Sequence, residues 1–404
     1  VTVAERIAAE IRRHGPRPLE RVLEVALYDP SGGFYESGGR SGARQGDFLT
    51  SPEVGPLFGA VVGRALDGWW RDMGSPDPFV VVDAGAGPGS LCRALLASGP
   101  DCAAALRYVL VERSAAQRRL HAQTLRLEDP ALAFAPVDPD TEAPVPEAVR
   151  GPICVSLAEL PRVNGPAVVL ANELVDNLPF GLAERRAGAW WEVRVDVGEA
   201  QGPAPPAGFV QVLVPLDDER AELLDRLVPD PVAGARVPLQ DAARAWLRDA
   251  LAVAGSRGRV MVIDYVATTA RLADRPQDQW VRTYRGHRHG AGLLEDLGAQ
   301  DVTCEVAVDQ LAAVKRPVLD RSQVDWLRAW GIDELVAEGR AEWSERARVG
   351  DLAAMQARSR VSESEALLDP AGLGGFRVLE WGRSGGAAGP VAASDMGPTA
   401  GGAC

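Results

Sequence analysis

Phe79-Val80-Val81-Val82-Asp83-Ala84-Gly85-Ala86-Gly87-Pro88-Gly89 is the stretch whose reading decides the fold. Its continuous apolar, β-rich opening fits a parallel strand covered on both faces. The glycines that follow let the backbone turn tightly and approach a ligand, and the helix they open offers free N–H groups. Their spacing is G-x-G-x-G rather than the dinucleotide G-x-G-x-x-G, which counts against a nicotinamide dehydrogenase. Further apolar runs at 108–111, 167–170 and 260–263 alternate with helical patterns at 91–98, 115–127 and 237–254. Such alternation predicts a doubly wound α/β sheet.

Outward from this core the pattern changes on both sides. Val3, Ile7 and Ile11 share one face of a helix, a second short helix covers 19–27, and six glycines fall in 28–47. Thr50-Ser51-Pro52-Glu53 resembles a helix start, with a hydroxyl cap and an early acid. The stretch 181–228 breaks the strand–helix rhythm with two antiparallel-type strands at 190–195 and 209–214. Pro136 to Pro152 reads as a surface connection, and the sequence after Glu380 lacks periodicity and reads as a disordered tail.

Composition narrows the classes. The chain has 404 residues and a formal net charge of -13, so its field repels polyanions and argues against a nucleic-acid partner. Five scattered cysteines without C-x-x-C spacing give neither a disulfide framework nor a zinc signature, and no metal is expected. No window is apolar enough to cross a membrane, and the N-terminus lacks the apolar core of a secretory signal. The expected location is cytoplasmic.

Three acids stand where chemistry is expected. Glu112 ends the second strand, where a carboxylate in nucleoside-binding α/β folds accepts both ribose hydroxyls. Asn172-Glu173 ends the 167–170 strand and Asp176 follows one turn on; the plainer alternative is a helix cap with acids favouring the dipole. Thr283 to His289 is the most cationic stretch, either gripping an acidic group or simply solvated. Gln300-Asp301 reads as a structural turn, and the Trp69-Trp70 and Trp190-Trp191 pairs as core anchors.

Several blocks in order resemble one family. D-x-G-x-G-x-G at Asp83–Gly89 is similar to the first motif of class I S-adenosylmethionine-dependent methyltransferases. Y-D-P-x-x-G-F-Y at Tyr28–Tyr35, G-D-F-L-T-S-P-E-V at Gly46–Val54, L-V-E-R-S at Leu110–Ser114 and A-N-E-L-V-D-N-L-P at Ala171–Pro179 resemble the MidA family. That family comprises mitochondrial complex I assembly methyltransferases and their bacterial relatives. V-I-D-Y at Val262–Tyr265, T-Y-R-G-H at Thr283–His287 and Q-D-V-T at Gln300–Thr303 follow in the family's order, so the likeness spans residues 1 to about 380.

The resemblance implies a Rossmann-like α/β class I core at 79–306, with a helical N-terminal lid at 1–78 and a β-rich substrate insertion at 181–228. A helical and strand extension would occupy 307–380 and a disordered tail 381–404. It implies S-adenosyl-L-methionine as cofactor, with Gly85, Ala86, Gly87 and Gly89 along its methionine and ribose portions and Glu112 on the ribose. Asp83 would steady the loop or the cofactor ammonium. Gly46, Asp47, Phe48, Thr50, Pro52 and Glu53 would cover the cofactor, with Asn172 and Glu173 beside the transferred methyl. Glu173, Asp176 or His287 would receive the product proton. The implied substrate is arginine of a partner protein; a peptide, a small secondary metabolite or a non-catalytic assembly role are the alternatives, and a homodimer is compatible. The chain departs from the family at Gly32-Gly33-Phe34-Tyr35, at Val266 and at Asn177, all expected around the acceptor pocket.

Overall fold

The computed structural model describes residues 1–37, 50–134, 150–198, 208–285, 288–346 and 351–382. The 79–89 stretch forms an interior strand and the first turn of a seven-stranded sheet. Its strands are β1 (Phe79–Ala84), β2 (Leu106–Val111), β3 (Ile153–Leu157), β4 (Ala167–Asn172), β5 (Arg259–Asp264), β6 (Leu319–Ser322) and β7 (Arg377–Gly382). In space they run β3-β2-β1-β4-β5-β7-β6, with β1 to β5 parallel and β7 antiparallel to both its neighbours. The order reverses between β1 and β4, which opens a crevice at their carboxyl ends.

Period-two alternation sends side chains to two separate cores. Phe79 and Val81 join one, Val80, Val82 and Ala84 the other. The helices include α1 (Val3–His14), α2 (Leu19–Tyr28), α3 (Pro56–Asp72), α4 (Ser90–Ala97), α5 (Ala115–Thr124), α6 (Asp241–Ala254) and α7 (Gln323–Ala329). Leu57, Phe58 and Val61 of α3, Leu91 and Leu95 of α4, and Trp326 of α7 cover the first face, while Ala243, Leu247 and Val253 of α6 cover the second.

The extension after residue 307 completes the sheet rather than following the core: β6 and β7 lie in it, and Trp381 of β7 is fully buried. Trp381 and Gly382, expected in the tail, are thus strand residues; the rest of the tail lies outside the described residues. β3 is a strand that the sequence reading did not resolve from its Pro-rich neighbourhood.

The insertion is a second, antiparallel sheet of Gly181–Arg186, Ala189–Val197, Phe209–Pro215 and Arg236–Leu239, joined by Arg17–Pro18. Its last strand occupies the start of the expected 237–254 helix, so α6 begins at Asp241. α1 and α2 pack on this sheet through Ile7, Ile11, Leu23, Leu182 and Val195, which binds the N-terminal helices to the insertion. Thr2 caps α1 and exchanges hydrogen bonds with Glu5 in a capping box. The helix expected from Thr50 is broken: Ser51–Val54 forms one turn, extended Gly55 interrupts, and α3 starts at Pro56. Glu363 supplies the acceptor for the freed Leu57 N–H at 2.8 Å.

Candidate active site

After β1 the chain turns through Gly85, Gly87 and Gly89, all with positive φ. Gly85 and Ala86 both donate to the Val111 carbonyl, at 2.9 and 3.1 Å, pinning the turn to the end of β2. Positive φ at Gly87 combines with open space in the direction a Cβ would take, so its backbone is presented bare. Glu112 sits beside it: Oε2 accepts from Gly87 N at 3.0 Å and Oε1 from Ser114 N at 2.8 Å. Burial raises the Glu112 carboxyl, and these two N–H groups oppose that shift.

Gly85, Gly87, Pro88 and Glu112 line a cavity of about 710 Å³, in the range of sites that take a drug-sized ligand. The loop after β3, from Ala158 to Arg162, forms another wall, Trp246 and Val253 of α6 lie at its edge, and Tyr28 and Tyr35 close the N-terminal side. Tyr28 is stacked on Tyr35 at 5.3 Å and carries the Arg113 guanidinium 4.4 Å from its ring centre.

On the far side, Glu173 follows β4 with φ of 52°, a strained value for a residue with a Cβ. Its N–H donates to the Ile263 carbonyl at 2.8 Å, fixing the turn against β5. Oε1 accepts from Ser51 N at 3.1 Å and from Asn172 Nδ2 at 2.9 Å, and the side chain lines the cavity. Three further carboxyls stand behind it. Asp264 accepts from the N–H groups of Val175, Asp176 and Tyr265, Asp176 from Asn177 Nδ2, and Asp301 from Tyr35 and from Val302 N. Burial, then repulsion from Asp176, pushes Glu173 to about 8, and burial, then repulsion from Asp301, pushes Asp176 to about 7. Burial carries Asp301 to about 6, and burial with repulsion from Asp176 raises Asp264 well above the carboxylate range.

The residues singled out in the sequence divide accordingly. Gly85, Gly87, Glu112 and Glu173 line one cavity. Asn172 and Asp176 touch or neighbour Glu173 without lining it. Asp83 is not among the residues lining the cavity: alternation turns it to the opposite face, where the Tyr108 hydroxyl donates to it at 2.9 Å and ties β1 to β2. Ala86 and Gly89 pack inward, Ala86 in the first core and Gly89 against Leu110 and Leu125. Thr50, Pro52 and Glu53 lie at the one-turn helix whose Ser51 N–H holds Glu173, and Glu53 adds to the repulsion on Glu173. Gly46, Asp47, Phe48 and His287 lie outside the described residues.

Arg288 and His289 of the cationic stretch are exposed on a short hairpin strand, and Arg285 pairs with Asp296 at 2.6 Å, as a solvated edge would. Gln300 braces its loop through Ala291 N, Gly292 O and Glu295 O, a structural turn, but Asp301 joins the acid group. Tyr35, which ends the stretch where the chain departs from the family pattern, and Asn177, itself a departure, are hydrogen-bonded to each other, and both line the cavity. The wall at 158–162 was missed with β3; reading the run Ile153-Cys154-Val155 as a strand would have found it.

The chain matches, over residues 61–323, the profile of a family described as "Putative S-adenosyl-L-methionine-dependent methyltransferase". It belongs to that family. The protein arginine methyltransferase NDUFAF7 homolog of Drosophila melanogaster is 32% identical over 52% of this chain and 48% of its own length. Mouse NDUFAF7 is 26% identical over 80% of this chain and 73% of its own. The chain thus spans about half the length of the fly relative. Among solved structures, a Burkholderia thailandensis protein bound to S-adenosyl-homocysteine superposes with a TM-score of 0.74 at 25% identity, covering 94% of this chain and 92% of that one. The cavity fits the cofactor on its own terms: bare glycine backbone, a carboxylate positioned for a diol and adequate volume occur together.

Proposed function

We propose that the methyl acceptor is an arginine side chain of a partner protein, and that Glu173 orients it. The observation that carries this reading is the place of Glu173: a strained residue at the end of β4, lining the cofactor cavity, whose bonds from Ser51 and Asn172 both fall on Oε1, leaving Oε2 without a hydrogen bond among the described residues. The names of the fly and mouse relatives, both protein arginine methyltransferases, support it.

When bound, the cofactor supplies an electrophilic methyl group on a sulfonium. Gly85 and Gly87 would present backbone to it, and Glu112, already anchored by Gly87 and Ser114, would accept from a sugar diol. Glu173 pairs with a guanidinium, whose positive charge returns the carboxyl to its ionised form. That carboxylate localises lone-pair density on the acceptor nitrogen and takes the proton the nitrogen sheds, with Asp176 next in reach of the charge. Tyr28, Tyr35 and the 158–162 wall exclude water from the same space. The reading keeps the enzyme in the cytoplasm, although the relatives are named mitochondrial; subcellular fractionation decides that point.

Labelled cofactor incubated with lysate of the native host, followed by amino-acid analysis of the labelled protein, tests the acceptor. Methylarginine is expected; label on another residue, on a small molecule, or on nothing would refute it. Glu173→Gln keeps the shape and removes the charge, so turnover should fall by about a hundredfold or more. Retained turnover would make Glu173 a cap only.

A further inference from the structure

We propose that His121 is a positioning residue for cofactor binding, acting through the backbone of Gly87. His121 lies in the last turn of α5 and is fully buried. Its Nε2 stands 2.7 Å from the Gly87 carbonyl, and its Nδ1 stands 2.8 Å from Ser156 Oγ at the end of β3. A carbonyl only accepts, so Nε2 carries the hydrogen and donates to Gly87, while Nδ1 accepts the Ser156 hydroxyl. Burial lowers the imidazole's affinity for a second proton, in keeping with the neutral ring that this pattern needs.

Gly87 is therefore held from both sides. Its N–H is bound by Glu112 and its carbonyl by His121, while its open Cα face fronts the cavity. Both peptide planes that flank the residue are fixed at a φ that otherwise has wide freedom. The same contact orients Glu112, since one of its two oxygens is spent on Gly87. His121 thus links the ends of β1, β2 and β3 in one hydrogen-bonded chain: Ser156, His121, Gly87, Glu112. A chain of this kind preorganises the loop and lowers the ordering cost of binding.

The inference rests on the cofactor reading of the cavity, and isosteres separate it from simple core packing. The side-chain amide of Gln reaches the position of Nε2 and can donate to Gly87, whereas that of Asn reaches only the position of Nδ1. Calorimetric titration of the full chain with S-adenosyl-homocysteine should show His121→Gln within about twofold of wild type and His121→Asn weaker by about three- to tenfold, the range of one hydrogen bond. The cofactor KM should rise in the Asn variant with the acceptor KM unchanged. Equal weakening in both variants, or full affinity in His121→Asn, would overturn the assignment. Wild type that fails to bind would sink the cofactor reading instead. Should the variants not fold, nitrogen-15 NMR of the wild-type histidines still decides: an Nε2–H tautomer is expected at His121, and an Nδ1–H tautomer refutes the contact.

Discussion

Glu173, Asp176 and Asp301 hold protons in the folded chain at pH values where exposed carboxyls have lost them, at about 8, 7 and 6. The sign of the consequence follows from linkage: a folded-state value raised above the unfolded one gives stability that is complete below the ordinary carboxyl range and is lost as pH rises through the folded value. Thermal midpoints of the free enzyme should therefore fall as pH rises from about 6 to about 8. Glu173→Gln should flatten the upper part of that decline, and a profile that is level for wild type, or identical for the variant, would contradict the raised values. At this scale the sequence disclosed Glu112 and Glu173, because each ends an apolar strand and strand ends are where this fold binds ligands. It did not disclose Tyr108 or His121. Their partners, Asp83 and the Gly87 carbonyl, are 25 and 34 residues away, and no local periodicity encodes such a pairing.

Among the elements, α3 and α4 approach closely because Gly59 has no side chain. A Cβ there would meet Ala94 Cβ at 2.5 Å and Leu95 N at 2.7 Å, and the second of these is backbone that cannot rotate away. Gly59→Ala should cost about 1–3 kcal/mol in chemical denaturation, as overpacking does, and an unchanged midpoint would show that the helices can separate without loss. β1, β2, β4 and β5 were legible as unbroken apolar runs, which only doubly covered strands require. β6 and β7 were not. β6 is an edge strand carrying Asp320 and Arg321, and β7 carries Glu380 into the interior, where Trp326 donates to it at 2.8 Å and Arg259 lies 3.7 Å away. A buried acid satisfied by partners more than fifty residues off reads locally as an exposed one.

For the whole molecule, the C-terminal strand closes the sheet and the N-terminal helices close the site. Trp381 is fully buried, and its indole N–H donates to the Lys315 carbonyl at 2.7 Å. Trp381→Ala should destabilise the chain by about 3–5 kcal/mol; a loss below 1 kcal/mol would mean that β7 is dispensable. At the other end, Tyr28 and Tyr35 reach from the α2 region to Asn177, while Ser114 donates to the Tyr35 carbonyl at 3.0 Å. Asp176 and Asp301, the Gly87 turn and the N-terminal segment are thereby one hydrogen-bonded assembly. The resemblance in the sequence pointed to this closure, but its chief stretch of lid falls outside the described residues, and the described tie is made by two tyrosines and an asparagine.

The central claim is that the sugar of the cofactor is gripped by Glu112 over the bare backbone of Gly87. Isothermal titration with S-adenosyl-homocysteine, run on wild type and Glu112→Ala side by side, measures it most directly. Removing a charged acceptor of two hydrogen bonds predicts a Kd at least about tenfold higher in the variant, with wild type binding one equivalent. Equal affinity in the two proteins, or no binding by wild type, would contradict the account.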